Sequence, residues 1–267
     1  MSALTLEIKE RGAERLDLSA LLPLNLVGKK LKDIEAISIG TTRERTTVGD
    51  VFKIKGNDAH TLRLIGTDSS CDRIGRALTE GEILVDGDAG AYVGAGMSGG
   101  KILVKGDAGA STGGSMIGGE IEIGGNSGER TGGVADGESL GMRGGRIVVG
   151  GNVGDVVGHR MRRGTIIVGG NAGEYAGGWM VAGTIMIDGK VGRLAGYGLR
   201  RGTLILDKQP KDLLPTFGDC GVLDFTWLRL LDRQLKATDG RFRVGYRARR
   251  LMGDMAVLGK GEMLILA

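Results

Sequence analysis

From Glu82 to Gly202 the chain alternates between short aliphatic runs and glycine-rich polar stretches, in a pattern that returns at a fixed interval. The segments EILVDGDAGAYVGAGMSGG (82–100), KILVKGDAGASTGGSMIGG (101–119), RIVVGGNVGDVVGHRMRRG (146–164), TIIVGGNAGEYAGGWMVAG (165–183) and TIMIDGKVGRLAGYGLRRG (184–202) align without gaps at 19 residues each. The unit at 120–145 fits the same frame with seven extra residues around Val134–Ser139. An eroded copy is expected to begin at Arg63, and another at Thr203. Positions 2 and 4 of every unit are aliphatic, from Ile83 and Val85 to Ile185 and Ile187. That alternation of β-branched residues predicts a short strand with one buried face. Then comes Gly-x-x-Gly-x-x-x-Gly, as in Gly87/Gly90/Gly94 and Gly106/Gly109/Gly113. Met or Leu fills position 16, as in Met97, Met116, Met142, Met161, Met180 and Leu199, and glycine closes each unit.

A unit of this length is too short for a full strand and a full helix. It suits one coil of a parallel β-helix, whose corners need glycine for positive φ or close backbone approach. The expected fold is therefore all-β: a single-stranded parallel β-helix of about seven coils, with GxxGxxxG corners. Coils stacked at ~4.8 Å give a prism of about 34 Å. Small residues at position 8, such as Ala89, Ala108 and Ala172, predict a narrow bore.

Open ends of such a stack would aggregate, so the flanks are read as caps. The predicted division is an N-terminal cap over 1–62, the repeats over 63–207, and a C-terminal cap over 208–267. The first flank holds strand-like runs at Leu4–Ile8, Ile37–Ile39 and Val51–Ile54. In the second, 223–235 reads as an amphipathic helix with Trp227, Leu230, Leu231 and Leu235 on one side. Strand-like runs follow at Phe242–Tyr246 and Met263–Leu266.

Composition sharpens this. Glycine makes up 52 of 267 residues and proline only 3, which excludes collagen and a helical bundle. Aromatics at 4% argue against a stacking platform for single-stranded nucleic acid. The chain opens with MSALTLEIKER, where charges interrupt any apolar run, and no stretch approaches a membrane span. The expectation is a cytoplasmic protein, with Cys71 and Cys220 as reduced thiols.

None of the glycine motifs is a phosphate loop, because no Gly-Lys-Ser/Thr follows and no helix is opened. Calcium-binding β-roll repeats run on nine residues, and here the Asp positions give way to Asn126, Asn152 and Asn171. A column of Asn predicts a side-chain hydrogen-bond ladder, and no metal site is expected. A hexapeptide-repeat acyltransferase shares the fold but usually needs a general-base histidine. The histidines are His60 and His159, and His159 has no acid partner at motif spacing. The net charge is +4, and its distribution is more informative than its size. Arg143, Arg162 and Arg200 fall at position 17, Arg163 and Arg201 at position 18, and Arg160 at position 15. Stacking places them along one edge, interrupted by Val181. Such an edge can grip an extended polyanion, meet an acidic partner protein, or remain a solvated face. The tail adds RFRVGYRARR (241–250), with several Arg expected on one strand face.

The GxxGxxxG repeat resembles the β-helical domain at the C-terminus of the glutamate synthase large subunit. The whole chain resembles the C subunit of formylmethanofuran dehydrogenase, on its LTLEI start, its GDAG and GGNxG units and its closing GDMAVLGKGEMLILA. That family has two settings: a molybdenum or tungsten dehydrogenase with iron–sulfur partners, and a bacterial formyltransferase/hydrolase complex. The resemblance is closer to the second. It implies a non-catalytic scaffold packed against an amidohydrolase-like subunit, where zinc is expected, and a formyltransferase. It implies no cofactor bound by this chain alone. The complex passes a formyl group from formyl-tetrahydromethanopterin to a methanofuran-type carrier and hydrolyses it to formate. The carrier's glutamate-rich tail gives Arg143, Arg160, Arg162, Arg163, Arg200 and Arg201 a specific expected ligand, with contact to a neighbouring protein of the complex as the alternative.

Overall fold

In the computed structural model, which describes residues 2–9, 14–42, 45–238 and 242–267, the aliphatic pairs become strands of one sheet. Ahead of the ungapped repeats come β1 (Ala3–Ile8), β2 (Leu16–Asp17), α1 (Pro23–Leu26), α2 (Leu31–Glu35), α3 (Val48–Val51), β3 (Phe52–Lys55), β4 (Asp58–Ile65) and β5 (Cys71–Asp72). The repeats supply β6 (Glu82–Asp86), β7 (Lys101–Val104), β8 (Glu120–Ile123), β9 (Arg146–Val149), β10 (Thr165–Val168), β11 (Thr184–Ile187) and β12 (Arg201–Leu206). The trailing flank adds β13 (Gly218–Asp224), α4 (Thr226–Thr238), β14 (Arg247–Gly253) and β15 (Lys260–Leu266). Thirteen of these strands form a sheet in the order β13-β14-β15-β12-β11-β10-β9-β8-β7-β6-β4-β1-β3. It is parallel throughout the repeats, and antiparallel pairs end it on both sides.

Register explains why a periodic sequence gives a continuous core. Each repeat pairs with its equivalent residues in the next: Ile102 with Ile121, Ile121 with Ile147, Ile147 with Ile166, Ile166 with Ile185. Identical positions therefore stack into columns. The Ile/Val columns and the Met97–Met116–Met142–Met161–Met180–Leu199 column are fully buried, each side chain contributing about 1.5–3 kcal/mol. Two further lines of contact join successive repeats. Position 8 forms parallel bridges from Ala89 through Ala108, Ser127, Val153 and Ala172 to Val191. The position 17 N–H donates to the preceding Met: Arg143 to Met116, Arg162 to Met142, Val181 to Met161 and Arg200 to Met180, at 2.7–2.9 Å.

Glycine serves two distinct needs. Gly113 has φ +62, the left-handed conformation that the third glycine of the motif supplies. Gly109, the second glycine, lies so near the previous repeat that a Cβ would sit 2.7 Å from the Gly90 carbonyl carbon. The expected asparagine ladder is present and longer than its asparagines. Asp88 Oδ1 accepts from the Asp107 N–H, Asp107 from Asn126, Asn126 from Asn152, Asn152 from Asn171, and Asn171 from Lys190, all at 2.7–2.8 Å.

Several expectations need correction. Strand pairing sets Thr61 opposite Glu82, so the eroded copy begins two residues before Arg63. The helix covers Thr226–Thr238 rather than 223–235, because Val222–Asp224 pair with β14. Its buried residues are Leu228 and Leu235, packed on Val148, Ile167, Met186 and Ile205 of the sheet's outer face. Trp227 and Leu230 point outward. Phe242–Tyr246 is not a strand; the strand starts at Arg247. Ile37–Ile39 makes only an isolated bridge, between Ser38 and Thr47. Of the tail arginines, Arg249 pairs with Asp219 and Arg250 with Glu262, while Arg241 lies outside the described residues.

Candidate functional site

The six arginines singled out by spacing fall on one edge but not in one cluster. Arg160, Arg162 and Arg200 line a hollow of about 280 Å³ with Trp179, Val181, Ser139 and Leu140. Arg143, Arg162 and Arg163 line a second, of about 370 Å³, with Val181 and Ala182. Arg162 and Val181 belong to both. Arg201 lines neither; it opens β12, opposite Lys260. The alignment follows from the backbone, since the position 17 N–H groups are tied to the methionine column. Val181 is the apolar step between the Arg162 and Arg200 levels.

Pairing sets these side chains apart. Arg63 meets Asp86, Arg146 meets Glu120 at 2.5 Å, and Arg130 meets Glu129 at 3.0 Å. Among the described residues, none of Arg143, Arg160, Arg162, Arg163, Arg200 or Arg201 makes an ion pair or a side-chain hydrogen bond. Arg143 goes further: its Nε is enclosed and finds no acceptor. An enclosed donor without an acceptor costs about 1–3 kcal/mol. A guanidinium offers N–H donors and no acceptor, so the edge can bind and orient an anion.

Two features of the site do not show in spacing alone. The first is an aromatic cluster. Trp179 stacks with Tyr175 at 5.8 Å and meets Tyr197 and His159 edge-on, at 5.1 and 5.4 Å. The available signal is their clustering at positions 11, 14 and 15 of three consecutive repeats in a chain poor in aromatics. Arg160 and Trp179, both at position 15, take φ 55 and 52, a left-handed conformation rare for such residues. The second is the insertion. Ser115 fixes it at both ends, its Oγ accepting from the Ala135 N–H at 3.0 Å and donating to the Leu140 carbonyl at 2.7 Å. That puts Ser139 and Leu140 in the wall of the first hollow. Asp136, on the same insertion, accepts from the Tyr92 hydroxyl.

His159 sits in the aromatic cluster and not beside an acid. Burial pushes its imidazole pKa below the usual value, helped by the charges of Arg160 and Arg130. Among the described residues no group of three or more His, Cys, Asp or Glu is placed to hold a metal ion. Cys71 is buried and Cys220 exposed, and neither forms a disulfide among the described residues. No helix among the described residues is long and apolar enough to cross a membrane.

No family model matches the chain. Over 86 residues it is 41% identical to the C subunit of the formyltransferase/hydrolase complex of Methylorubrum extorquens, covering 32% of each chain. Over 100 residues it is 37% identical to the C subunit of tungsten-containing formylmethanofuran dehydrogenase 2 from Methanothermobacter marburgensis, covering 36% of this chain and 37% of that one. These alignments thus span about a third of the curated relatives. A structural match spans nearly everything. A chain in the crystal structure of the formyltransferase/hydrolase complex from Methylorubrum extorquens with methylofuran is 40% identical, with a TM-score of 0.92, over 98% of this chain and 99% of that one.

Proposed function

Because the chain belongs to the C-subunit family of the formyltransferase/hydrolase complex, we propose that it is the non-catalytic scaffold of such a complex. Its partners are an amidohydrolase-like subunit, which holds zinc, and a formyltransferase. Together they move a formyl group from formyl-tetrahydromethanopterin to a methanofuran-type carrier and release formate. The chain winds as a parallel β-helix over 63–207, entered two residues earlier at Thr61 by strand pairing, with the flanking segments as caps. In-register bonding of each repeat to the next at three places around its length supports the winding. The antiparallel pairs ending the sheet support the caps.

One observation carries the functional reading: an edge of arginines with no internal counter-ions among the described residues, its position 17 N–H groups hydrogen-bonded to the preceding repeat. Arg143, Arg160, Arg162, Arg163 and Arg200 hold the carboxylates of the carrier's anionic tail while its formyl end moves between the catalytic subunits, and Arg201, outside both hollows, is left for contact with a partner subunit. Arg143 and Arg162 stand on adjacent repeats at a step of roughly 5 Å, and Arg200 follows beyond the Val181 level at about twice that step, which suits an extended polycarboxylate. The test is Arg162→Glu with Arg200→Glu in the assembled complex. The expected result is an intact complex whose formate release from the formyl donor falls roughly tenfold, and whose salt dependence flattens. Unchanged turnover in an intact complex removes the reading.

A further inference from the structure

Beside the arginine edge the molecule holds out an apolar tip that its own fold does not cover. The turn between β14 and β15, residues 254–259, exposes Met255, Val257 and Leu258, with Met255 at 56% and Leu258 at 53%. Such a tip would ordinarily be loose, but this one is anchored. The Asp254 carboxylate, only 2% exposed, accepts from the Gly198 N–H at 3.0 Å and the Ala256 N–H at 2.9 Å. Its backbone N–H donates to the Leu199 carbonyl, and the Met255 N–H donates to the Thr216 carbonyl. Gly198 in turn lies against the Trp179 ring, where a Cβ would come within 3.0 Å. The tip is thereby fixed to the last repeat through Gly198, whose neighbours Trp179 and Tyr197 are also exposed.

The charge around it is one-sided. Arg200 and Arg201 follow Leu199 directly, and Lys260 follows the turn. None of the three makes an ion pair among the described residues. Rigid, exposed aliphatic side chains beside an aromatic pair and a rim of free cations match the make-up of a protein contact. They do not suit a small anion, which would gain nothing from Met255 or Leu258.

We propose that the 254–259 tip, with Trp179 and Tyr197, is the docking surface for a partner polypeptide of the complex, an apolar segment flanked by acidic residues. This rests on the scaffold reading and deepens it, since it places the arginine hollow at the seam with the docked partner. The partner's apolar side chains cover Met255, Val257 and Leu258, and its acids meet Arg201 and Lys260, which stand outside the arginine hollows.

The test is co-expression of the chain with the other subunits of its own complex, followed by affinity capture and size-exclusion with light scattering. M255D/L258D, and separately Val257→Asp, change only exposed side chains, so the melting temperature of the free chain should hold. The expected loss of affinity for the partner is roughly 100-fold. Arg201→Glu with Lys260→Glu should slow association roughly tenfold at low salt and little at high salt. If both tip variants assemble like the native chain, the docking proposal falls and the scaffold reading stands. If the native chain captures no other member of the complex, both fall. A native homodimer that M255D/L258D abolishes would give the surface to a second copy and overturn the proposal.

Discussion

Two alanine substitutions separate the two tasks assigned to glycine. Gly109 and Gly96 belong to adjoining repeats and are equally small, yet the structure asks different things of them. At Gly96 φ is +68 and nothing lies within 4 Å of an added Cβ. Gly96→Ala therefore carries only the left-handed penalty of about 1–2 kcal/mol. The lower entropy of the unfolded chain offsets that by about 0.4–1 kcal/mol. The net loss is about 0.5–1 kcal/mol. At Gly109 the backbone is not left-handed, but a Cβ would meet the Gly90 carbonyl carbon at 2.7 Å, Ala91 nitrogen at 2.8 Å and Gly90 oxygen at 2.8 Å. Ordinary carbon contacts need about 3.5 Å or more, so the two repeats must part by most of an ångström. That stretches the Gly109 N–H bonds to the Ala89 and Gly90 carbonyls, now 3.1 and 2.9 Å. Two weakened hydrogen bonds and the lost contacts around them come to about 2–4 kcal/mol. Thermal unfolding by circular dichroism reads the difference. A domain of this size loses roughly 2–4 °C per kcal/mol, so Gly109→Ala should melt several degrees below Gly96→Ala. Equal melting temperatures would refute the argument that close approach, and not φ, fixes the middle glycine of the motif.

Three further outcomes follow from charge and packing. Burial and neighbouring Asp207 raise the Asp188 carboxyl to about 6. Its folded pKa thus exceeds its unfolded one, so stability is lost as pH rises from about 4 to 6; Asp188→Asn should remove that slope and add about 1–2 kcal/mol at pH 8, after discounting for its partial exposure. For Asp254, burial would raise the carboxyl, but bonds from Thr216, Ala256 and Gly198 hold it below the usual range. The stability it contributes is present above the unfolded carboxylate range and lost as pH falls through it, and Asp254→Ala should cost about 2–4 kcal/mol by urea melt at pH 7. Asn152→Ala removes the acceptor that holds the Asn171 N–H and side-chain amide, and should cost about 1–2 kcal/mol by urea melt, since water replaces part of the loss.

How much is legible from residues alone divides along the same physical line. The repeat is readable because periodic hydrophobicity and in-register pairing are the same fact seen twice: Ile102, Ile121 and Ile147 align in the sequence and in the sheet. The asparagine ladder is readable too, although its acidic members are not, since an Asp side chain also accepts from the next backbone N–H. The flanks are harder because they do not repeat. Strand β14 begins where pairing with β13 and β15 allows, so Phe242–Tyr246 looks like a strand but packs as irregular chain. The helix buries Leu235 and packs Leu231 as its pattern suggests, but Leu228 goes inward in place of Trp227 and Leu230, because Val148, Ile167 and Met186 of the sheet select it. At the arginine edge, spacing correctly places Arg143, Arg162 and Arg200 on one column. It does not show that Arg201 turns away into β12, or that the insertion walls the hollow. Nor does it show that Trp179 joins the site, because those facts depend on contacts between residues far apart in the chain.

The claim that this chain works as a scaffold within a complex is tested most directly by recovering it with its natural associates. The tagged chain would be purified gently at low salt, and the material that follows it identified by mass spectrometry and metal analysis. The account predicts stoichiometric recovery of an amidohydrolase-like subunit and a formyltransferase, with zinc and without tungsten, molybdenum or iron–sulfur. A clean chain with nothing associated, itself turning over a formyl donor and losing that turnover in His159→Ala, would contradict it.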